Sequence, residues 1–336
     1  MIRSDPRQAQ VGGCGVLGTG GANPSEMLTN RDLEQLVDTT DEWIVTRTGI
    51  RQRFKAGPEE FTSTLAIKAA RQALEHADVN PADVDLLICA TVTPDQILPS
   101  TACLIQAEIG AHNAAAFDVA AACSGFLYGL TLANEMIRSG SARYALVIGA
   151  EILTRFVNYS DRETCILFGD GAGAVLLGPV GPNRGILSSH IGSDGRHAHR
   201  LYAPGGGSRM PPRGDPDYPG LCTFRMEGSE IFRLAIQHMA AAATNVLSAA
   251  GYRADDVDLF IPHQANQRIT DGVISWLQLR PERVYSNIAS HGNTSSASVP
   301  LALNECVVDG VLKAGHLVLL TAFGGGVTWA ATLIRW

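Results

Sequence analysis

The sequence predicts an α/β architecture made of two similar halves, and three observations carry that prediction. Short, nearly all-apolar runs rich in β-branched residues recur at 86–92, 144–149, 174–177, 259–261 and 317–320. Strands apolar on both faces belong in sheets covered by helices on both sides. From Glu230 onward, Ile231, Ala235, Met239, Ala242 and Val246 fall on one helical stripe, as a helix packed on such a sheet requires. The chain also repeats itself weakly. NPADVDLLI around Asp83 resembles RADDVDLFI around Asp256, and RYALVIGA around Tyr144 matches HLVLLTAF around Leu317, both at an offset of 173 residues. One offset shared by two distant places points to duplicated halves.

Each half then reads as a set of βα units packed on its twin. The boundary falls at GPVGPN, residues 178–183, where Gly and Pro punctuate the chain, giving halves at 1–180 and 181–336. The same offset sets Cys123 opposite Ser296, so AACSGFLYGL and TSSASVPLAL become equivalent helix starts that meet, with the Asn293 loop, at a common seam. Residues 193–221, which include GGGSRMPPRGDPDYPG, are too rich in Gly and Pro for regular structure and read as a long surface or active-site loop.

Composition bounds the function classes. With 336 residues, 46% of them hydrophobic, the chain can bury a large core as one large or two ordinary domains. A net charge of −7 without a long basic run offers no footprint for nucleic acid. The seven cysteines include no CxxC pair and suggest no disulfide framework, so a reducing, cytoplasmic setting is expected. The opening MIRSDPRQAQ has no apolar signal core and no apolar stretch approaches a membrane span, so a soluble protein without a membrane partner is expected.

Three residues carry candidate chemistry. Cys123 lies in FDVAAACSGF, where a short apolar segment runs into small residues and then a helical pattern. A thiol near a helix N-terminus is favoured as thiolate, although the same context would suit a small buried cysteine at a tight helix contact. His263, in IPHQAN, follows an apolar run at the C-terminal end of an expected parallel strand, where α/β sheets place catalytic groups; a hydrogen-bonded structural histidine would also fit. Asn293, in SHGNTSSAS, follows a turn-forming Gly and on local grounds also suits a helix N-cap. Gly324, Gly325 and Gly326 follow LVLLTAF, and their N–H groups could line an oxyanion hole or form a structural turn.

Two patterns lead elsewhere. Gly13, Gly15 and Gly18 match GxGxxG with Asp38 twenty positions beyond, but too little chain precedes them for an entry strand, and Asn23 and Pro24 interrupt the helix that should follow. His197 and His199 in GRHAHR suggest no third metal ligand.

Taken together, FDVAAACSGF, HQANQRI, HGNTSSASVP, FGDGAGAVLL and AFGGGVTW resemble the motifs of the β-ketoacyl-acyl-carrier-protein synthase III family, over nearly the whole chain. The resemblance implies a thiolase-like fold of duplicated halves in a five-layered αβαβα arrangement. It implies that Cys123 accepts an acyl group from an acyl-CoA, with the N–H groups of Cys123 and Gly325 holding the oxyanion. His263 and Asn293 would then act on the malonyl thioester of an acyl carrier protein, stabilising the enolate released by decarboxylation. By the same resemblance Trp43 and Arg162 sandwich the CoA adenine, Arg47 lies near its phosphates, Gly228, Ala265 and Asn266 line the CoA site, and Arg268 docks the carrier protein. Leu98 replaces a Phe often found where the neighbouring subunit of a homodimer caps the acyl pocket. No metal or resident cofactor is implied; coenzyme A enters as substrate.

Relatives of this type in secondary metabolism prime polyketides or transfer acyl groups to other acceptors, and the intact Cys-His-Asn set favours condensation. Thiolase-like cleavage would ordinarily want a second catalytic Cys in the second half. Residues 324–326 contain none, and Cys306 falls mid-helix.

Overall fold

The computed structural model describes residues 13–211 and 218–336; residues 1–12, with the opening MIRSDPRQAQ, and residues 212–217 of the Gly/Pro-rich stretch lie outside the described residues. In chain order the strands are β1 (Gly13–Ala22), β2 (Glu26–Thr29), β3 (Gln52–Lys55), β4 (Leu86–Ala90), β5 (Ala115–Val119), β6 (Ala145–Glu151), β7 (Gly171–Val180), β8 (Gly185–Ser193), β9 (Leu201–Tyr202), β10 (Arg225–Met226), β11 (Leu259–Pro262), β12 (Leu317–Gly324) and β13 (Thr328–Arg335). The helices are α1 (Asn30–Glu34), α2 (Asp41–Thr48), α3 (Thr62–Ala77), α4 (Thr101–Ile109), α5 (Gly125–Arg138), α6 (Arg162–Cys165), α7 (Tyr218–Leu221), α8 (Gly228–Ala249), α9 (Gln267–Leu277), α10 (Ile288–His291) and α11 (Ser298–Val308). Each of the five apolar runs read from the sequence lies within or largely within a strand, and the stripe from Ile231 to Val246 is the buried face of α8.

Two large sheets share one plan. The first runs β1-β7-β6-β4-β5 and the second β8-β13-β12-β11. In both, a parallel pair (β4 with β6, β11 with β12) continues into two antiparallel neighbours. Only β5 lacks a full counterpart; a single parallel bridge between Phe260 and Val284 stands in its place. The 173-residue offset recurs between the short 3₁₀ turns Pro81–Asp83 and Ala254–Asp256, between the starts of β4 and β11, and between the starts of α5 and α11.

The layering follows from burial. Leu86, Ile88, Val147 and Val175 of the first sheet and Leu259, Ile261, Val318 and Leu320 of the second pack on Phe126, Leu127 and Leu130 of α5 and on Val299 and Leu303 of α11. The opposite sheet faces pack on α3 and α4 at one side and on α8 and α9 at the other, which completes five layers. Because α5 and α11 are the shared central layer, their N-terminal turns, carrying Cys123 and Ser296, meet between the sheets.

One expectation changes and one rejected motif gains a structural role. The Gly/Pro-rich stretch is not wholly irregular: residues Gly195–Arg200 form 3₁₀ turns, β9 pairs with β10, and Tyr218–Leu221 is helical. Backbone pairing across more than twenty residues supplies there what local propensity does not. The GxGxxG match lies inside the strand β1, where Gly18 is pressed against α3; a Cβ on it would stand 2.2 Å from the Ala73 carbonyl oxygen. The glycines therefore permit close helix–sheet packing and make no phosphate-binding turn.

Candidate active site

Cys123 sits in a 3₁₀ turn, Ala122–Ser124, between β5 and α5. Ala122 takes a left-handed conformation at φ 47°, and Gly125 starts the helix where a Cβ would stand 3.1 Å from the Ala90 Cβ. This tight turn aims the sulfur at the seam. Cys123 is 8% exposed and lines two spaces that share its side chain: a cleft of about 860 Å³ and a smaller cavity of about 220 Å³. Burial pushes the thiol up to about 12, and the Glu151 carboxylate adds to that. This burial opposes the helix N-terminus, whose dipole favours the thiolate. Desolvation is the larger effect where the turn is enclosed by both halves.

His263 follows β11, its backbone N–H donating to the Thr321 carbonyl at 2.7 Å. Its Nδ1 lies 2.6 Å from the Ser298 hydroxyl, which also accepts the Gln264 N–H at 3.3 Å. When the Ser298 hydroxyl donates to Nδ1 while accepting from Gln264, the ring carries its proton on Nε2. Burial lowers the imidazole to about 3, so the ring is neutral and offers an N–H at neutral pH.

Asn293 is fixed by three bonds. Its N–H donates to the Leu167 carbonyl at 2.8 Å, its carbonyl accepts from Gly169 at 3.0 Å, and its Oδ1 accepts the Ser295 N–H at 2.9 Å. With Oδ1 occupied, the amide nitrogen is the group left to face the cleft. Cys123, His263 and Asn293 all line the same cleft, so the structure brings the three sequence candidates together. Two neutral N–H donors beside a thiol can stabilise a developing oxyanion or enolate without burying a net charge.

The glycine run closes the wall. Gly324 ends β12 directly against the cysteine turn, where a Cβ would lie 2.6 Å from the Cys123 backbone nitrogen. Gly325 lines the smaller cavity, and Thr328 ties the hairpin to the turn by donating to the Ala121 carbonyl at 2.8 Å.

The cleft mouth is basic and aromatic. Trp43 and Arg47 stand one turn apart on α2, and the Arg162 guanidinium lies 4.6 Å from the Trp43 ring centroid while donating to the Asp38 carbonyl. Gly228, Ala265, Asn266 and Arg268 also line the cleft. Asn266 caps α9 and donates to the Arg47 carbonyl at 3.1 Å; Arg268 lies over the Phe232 ring at 5.4 Å. Leu98 does not join them: it is 84% exposed, beside the equally exposed Ile97, and lines neither cavity of its own chain. His197 approaches Asp194 at 3.9 Å, away from the cleft lining.

Several residues at the site are not singled out by the sequence. Leu201, Tyr202 and Phe224 wall the smaller cavity, and Phe224 packs on Phe168 with ring centroids 5.4 Å apart. Glu151, fully buried at the end of β6, lies behind the cysteine with Ser295 and Ser296. A serine run before a helix reads as capping residues, and a lone Glu closing an apolar strand carries no motif.

The family models for 3-oxoacyl-[acyl-carrier-protein] synthase III match residues 117–195, and those for its C-terminal part match residues 247–336. A beta-ketoacyl-[acyl-carrier-protein] synthase III of Roseiflexus sp. (strain RS-1) is 51% identical over 321 residues, 96% of this chain and 98% of the relative. The crystal structure of 3-oxoacyl-[acyl-carrier-protein] synthase III from Aquifex aeolicus superposes with a TM-score of 0.90 at 44% identity, covering 96% of this chain and all of that one. The priming β-ketosynthase from the R1128 polyketide biosynthetic pathway also superposes, with a TM-score of 0.90 at 36% identity over 98% of both chains. Five layers built from a duplicated unit, a cysteine turn facing a His and an Asn across the seam, and these likenesses along the whole chain agree: the protein belongs to the 3-oxoacyl-[acyl-carrier-protein] synthase III family.

Proposed function

We propose that this condensing enzyme transfers an acyl group from acyl-CoA to Cys123 and joins it to the malonyl group of an acyl carrier protein, releasing CO2 and starting fatty acid synthesis. The observation that supports it most is the meeting of a thiol and two neutral N–H donors where a large cleft joins a small apolar cavity. The small cavity suits the acyl chain and the large cleft the pantetheine arm. The backbone N–H groups of Cys123 and Gly325 hold the thioester oxyanion during acyl transfer. His263 Nε2–H and the Asn293 amide then donate to the enolate oxygen as CO2 leaves. The reaction requires no resident cofactor and no metal, because the thioester already activates the carbonyl.

In the same reading Trp43, Arg47, Arg162, Gly228, Ala265 and Asn266 bind the CoA moiety, and Arg268 meets the acidic carrier protein. Leu98 of one subunit caps the partner's acyl cavity in a homodimer; its exposure on the single chain is consistent with that use. A cleaving thiolase is disfavoured, since the second half places glycine at 324–326 and Cys306 is fully buried in α11.

The likeness to a priming ketosynthase supports a second reading, in which the condensed product enters polyketide synthesis. Measuring CO2 release from malonyl carrier protein across a panel of acyl-CoA primers tests both. Condensation with short primers on a fatty-acid carrier protein is expected; activity only with a polyketide carrier protein favours the second, and no primer-dependent CO2 release overturns both.

A further inference from the structure

The two walls of the slot at the cleft mouth stand on short helices. Trp43 and Arg47 lie on α2, eight residues long, and Arg162 opens α6, four residues long. Helices of this length do not hold themselves in water, so their placement comes from what lies beneath them. Beneath both is a small apolar cluster in which Leu33 of α1 and Ile44 of α2 meet Cys165 of α6 and the Ile166 and Leu167 that follow it. Apolar burial is non-directional, and by itself it does not fix one short helix against another.

Arg53, on β3, supplies the direction. Its side chain is fully buried, which for a guanidinium is costly unless oxygen atoms replace its water. One arm donates to Asn30 Oδ1 at 2.8 Å and to the Leu28 carbonyl at 3.4 Å, and the other donates to the Ile166 carbonyl. Asn30 passes the tie on. Its amide nitrogen donates at 2.8 Å both to Asp41 Oδ1, at the first residue of α2, and to the Ile50 carbonyl, just past the end of that helix. Ile166 caps the end of α6 and itself lines the cleft. One buried cation thus ties both ends of α2 and the end of α6 into a single frame. Burial lowers the guanidinium only to about 10, so it stays charged near pH 7, and charge-assisted bonds are the stronger kind.

We propose that Arg53 is a positioning residue for coenzyme A: by way of Asn30, Asp41 and the Ile166 carbonyl it holds the Trp43 and Arg162 walls in register, so that the affinity for the nucleotide end of the substrate depends on it. The proposal deepens the reading of the cleft mouth as a coenzyme A site and rests on that reading. A flat base gains a stack only where both walls close on its two faces, and slack between α2 and α6 forfeits that alignment. A donor without the nucleotide reaches the thiol without using the slot.

The test uses the full-length protein, with coenzyme A as the binding probe and acetyl-CoA and acetyl-pantetheine as acyl donors. Asp41→Ala cuts the tie at α2 and leaves Arg53 in place, and Arg53→Met removes the hub. Asp41→Asn keeps an Oδ1 that accepts from Asn30, and so controls for the lost charge. Titration calorimetry should show coenzyme A bound about tenfold more weakly by Asp41→Ala and by Arg53→Met, the size of a lost base–aromatic stack, and within about twofold by Asp41→Asn. Acylation should follow the same pattern, with kcat/KM about tenfold lower for acetyl-CoA and within about twofold for acetyl-pantetheine. Equal losses with both donors, the mark of general damage to the fold, overturn the proposal. Coenzyme A bound as tightly by Asp41→Ala and Arg53→Met as by the unaltered chain overturns it too, and leaves the coenzyme A reading standing. Should Arg53→Met unfold, the two Asp41 variants decide. An unaltered chain that binds no coenzyme A removes the reading and the proposal together.

Discussion

The turn that carries Cys123 and the turn that carries Ser296 are the same piece of backbone built twice. Ala122 and Ser295, 173 residues apart, share a left-handed conformation at φ 47° and 49°, and each opens a 3₁₀ turn that runs into a central helix. What differs is the residue that ends the neighbouring strand. Gly324, at the end of β12, leaves the space beside Cys123 open to the cleft. Glu151, at the equivalent end of β6, fills the corresponding space beside Ser296, whose side chain is 1% exposed. A symmetric frame thus yields one reactive site and one supporting cluster, and the choice rests on side-chain bulk at two strand ends.

The sharpest way to break that comparison is to move the thiol. Cys123→Ser should abolish covalent acylation by labelled acyl-CoA, and adding Ser296→Cys should not restore it, because Ser296 lines neither the cleft nor the small cavity. Label recovered on residue 296 would show that the two turns are functionally interchangeable. Next in size, His263→Ala and Asn293→Ala should each lower malonyl decarboxylation by about 10²- to 10³-fold while acylation of Cys123 is largely retained. If acylation falls as far, His263 serves the thiol as a base.

The glycines test the packing side of the comparison. Gly324→Ala and Gly149→Ala would place a methyl group 2.6 Å from the Cys123 nitrogen and 2.2 Å from the Ser296 carbonyl oxygen, respectively. Overpacking of this kind costs about 1–3 kcal/mol, so thermal unfolding should register both, with Gly324→Ala alone also slowing acylation. Smallest is Leu98→Phe, which should lower kcat/KM for medium-chain primers about tenfold, equivalent to about 1.4 kcal/mol, and leave acetyl-CoA nearly unaffected. Equal effects on both primers, or a monomer by sedimentation, would remove Leu98 from the acyl cavity.

The acid limb of stability follows from His263. An imidazole lowered to about 3 in the fold and ordinary in the unfolded chain leaves the unfolded state binding more protons between these values. Stability should therefore be fully present above about pH 6.5 and decline as pH falls toward 3, and His263→Gln should flatten that decline in urea titrations.

The frame was legible in the sequence because its signals are local or periodic. The apolar runs at 86–92 and 317–320 are strands, and the repeat predicted the pairing of Cys123 with Ser296. Cys123, His263 and Asn293 each sit in a run of small or turn-forming residues at an element's end, a position that sequence can show. Glu151 and Ser295 were not legible: their meaning arises only when residues 144 positions apart in the chain come within 3.0 Å. The walls of the small cavity were missed for a related reason. Leu201, Tyr202 and Phe224 lie in or beside a stretch whose composition argues for a loop, and a two-residue strand pairing sets their direction.

The stacking of Arg162 on Trp43 bears on which thioester the resting cleft admits. A flat base seated between them needs about 3.5 Å on each face, or about 7 Å in all, against the 4.6 Å from guanidinium to ring centroid. A coenzyme A thioester using that slot must first lift the arginine, at about 0.5–1 kcal/mol for an exposed cation–π contact, and then regains a stack of its own. A phosphopantetheine arm on a carrier protein has no adenine and leaves the pair closed. In the proposed reading the two substrates then meet different doorways into one site, and the mouth of the cleft distinguishes the donor of the first half-reaction from the acceptor of the second.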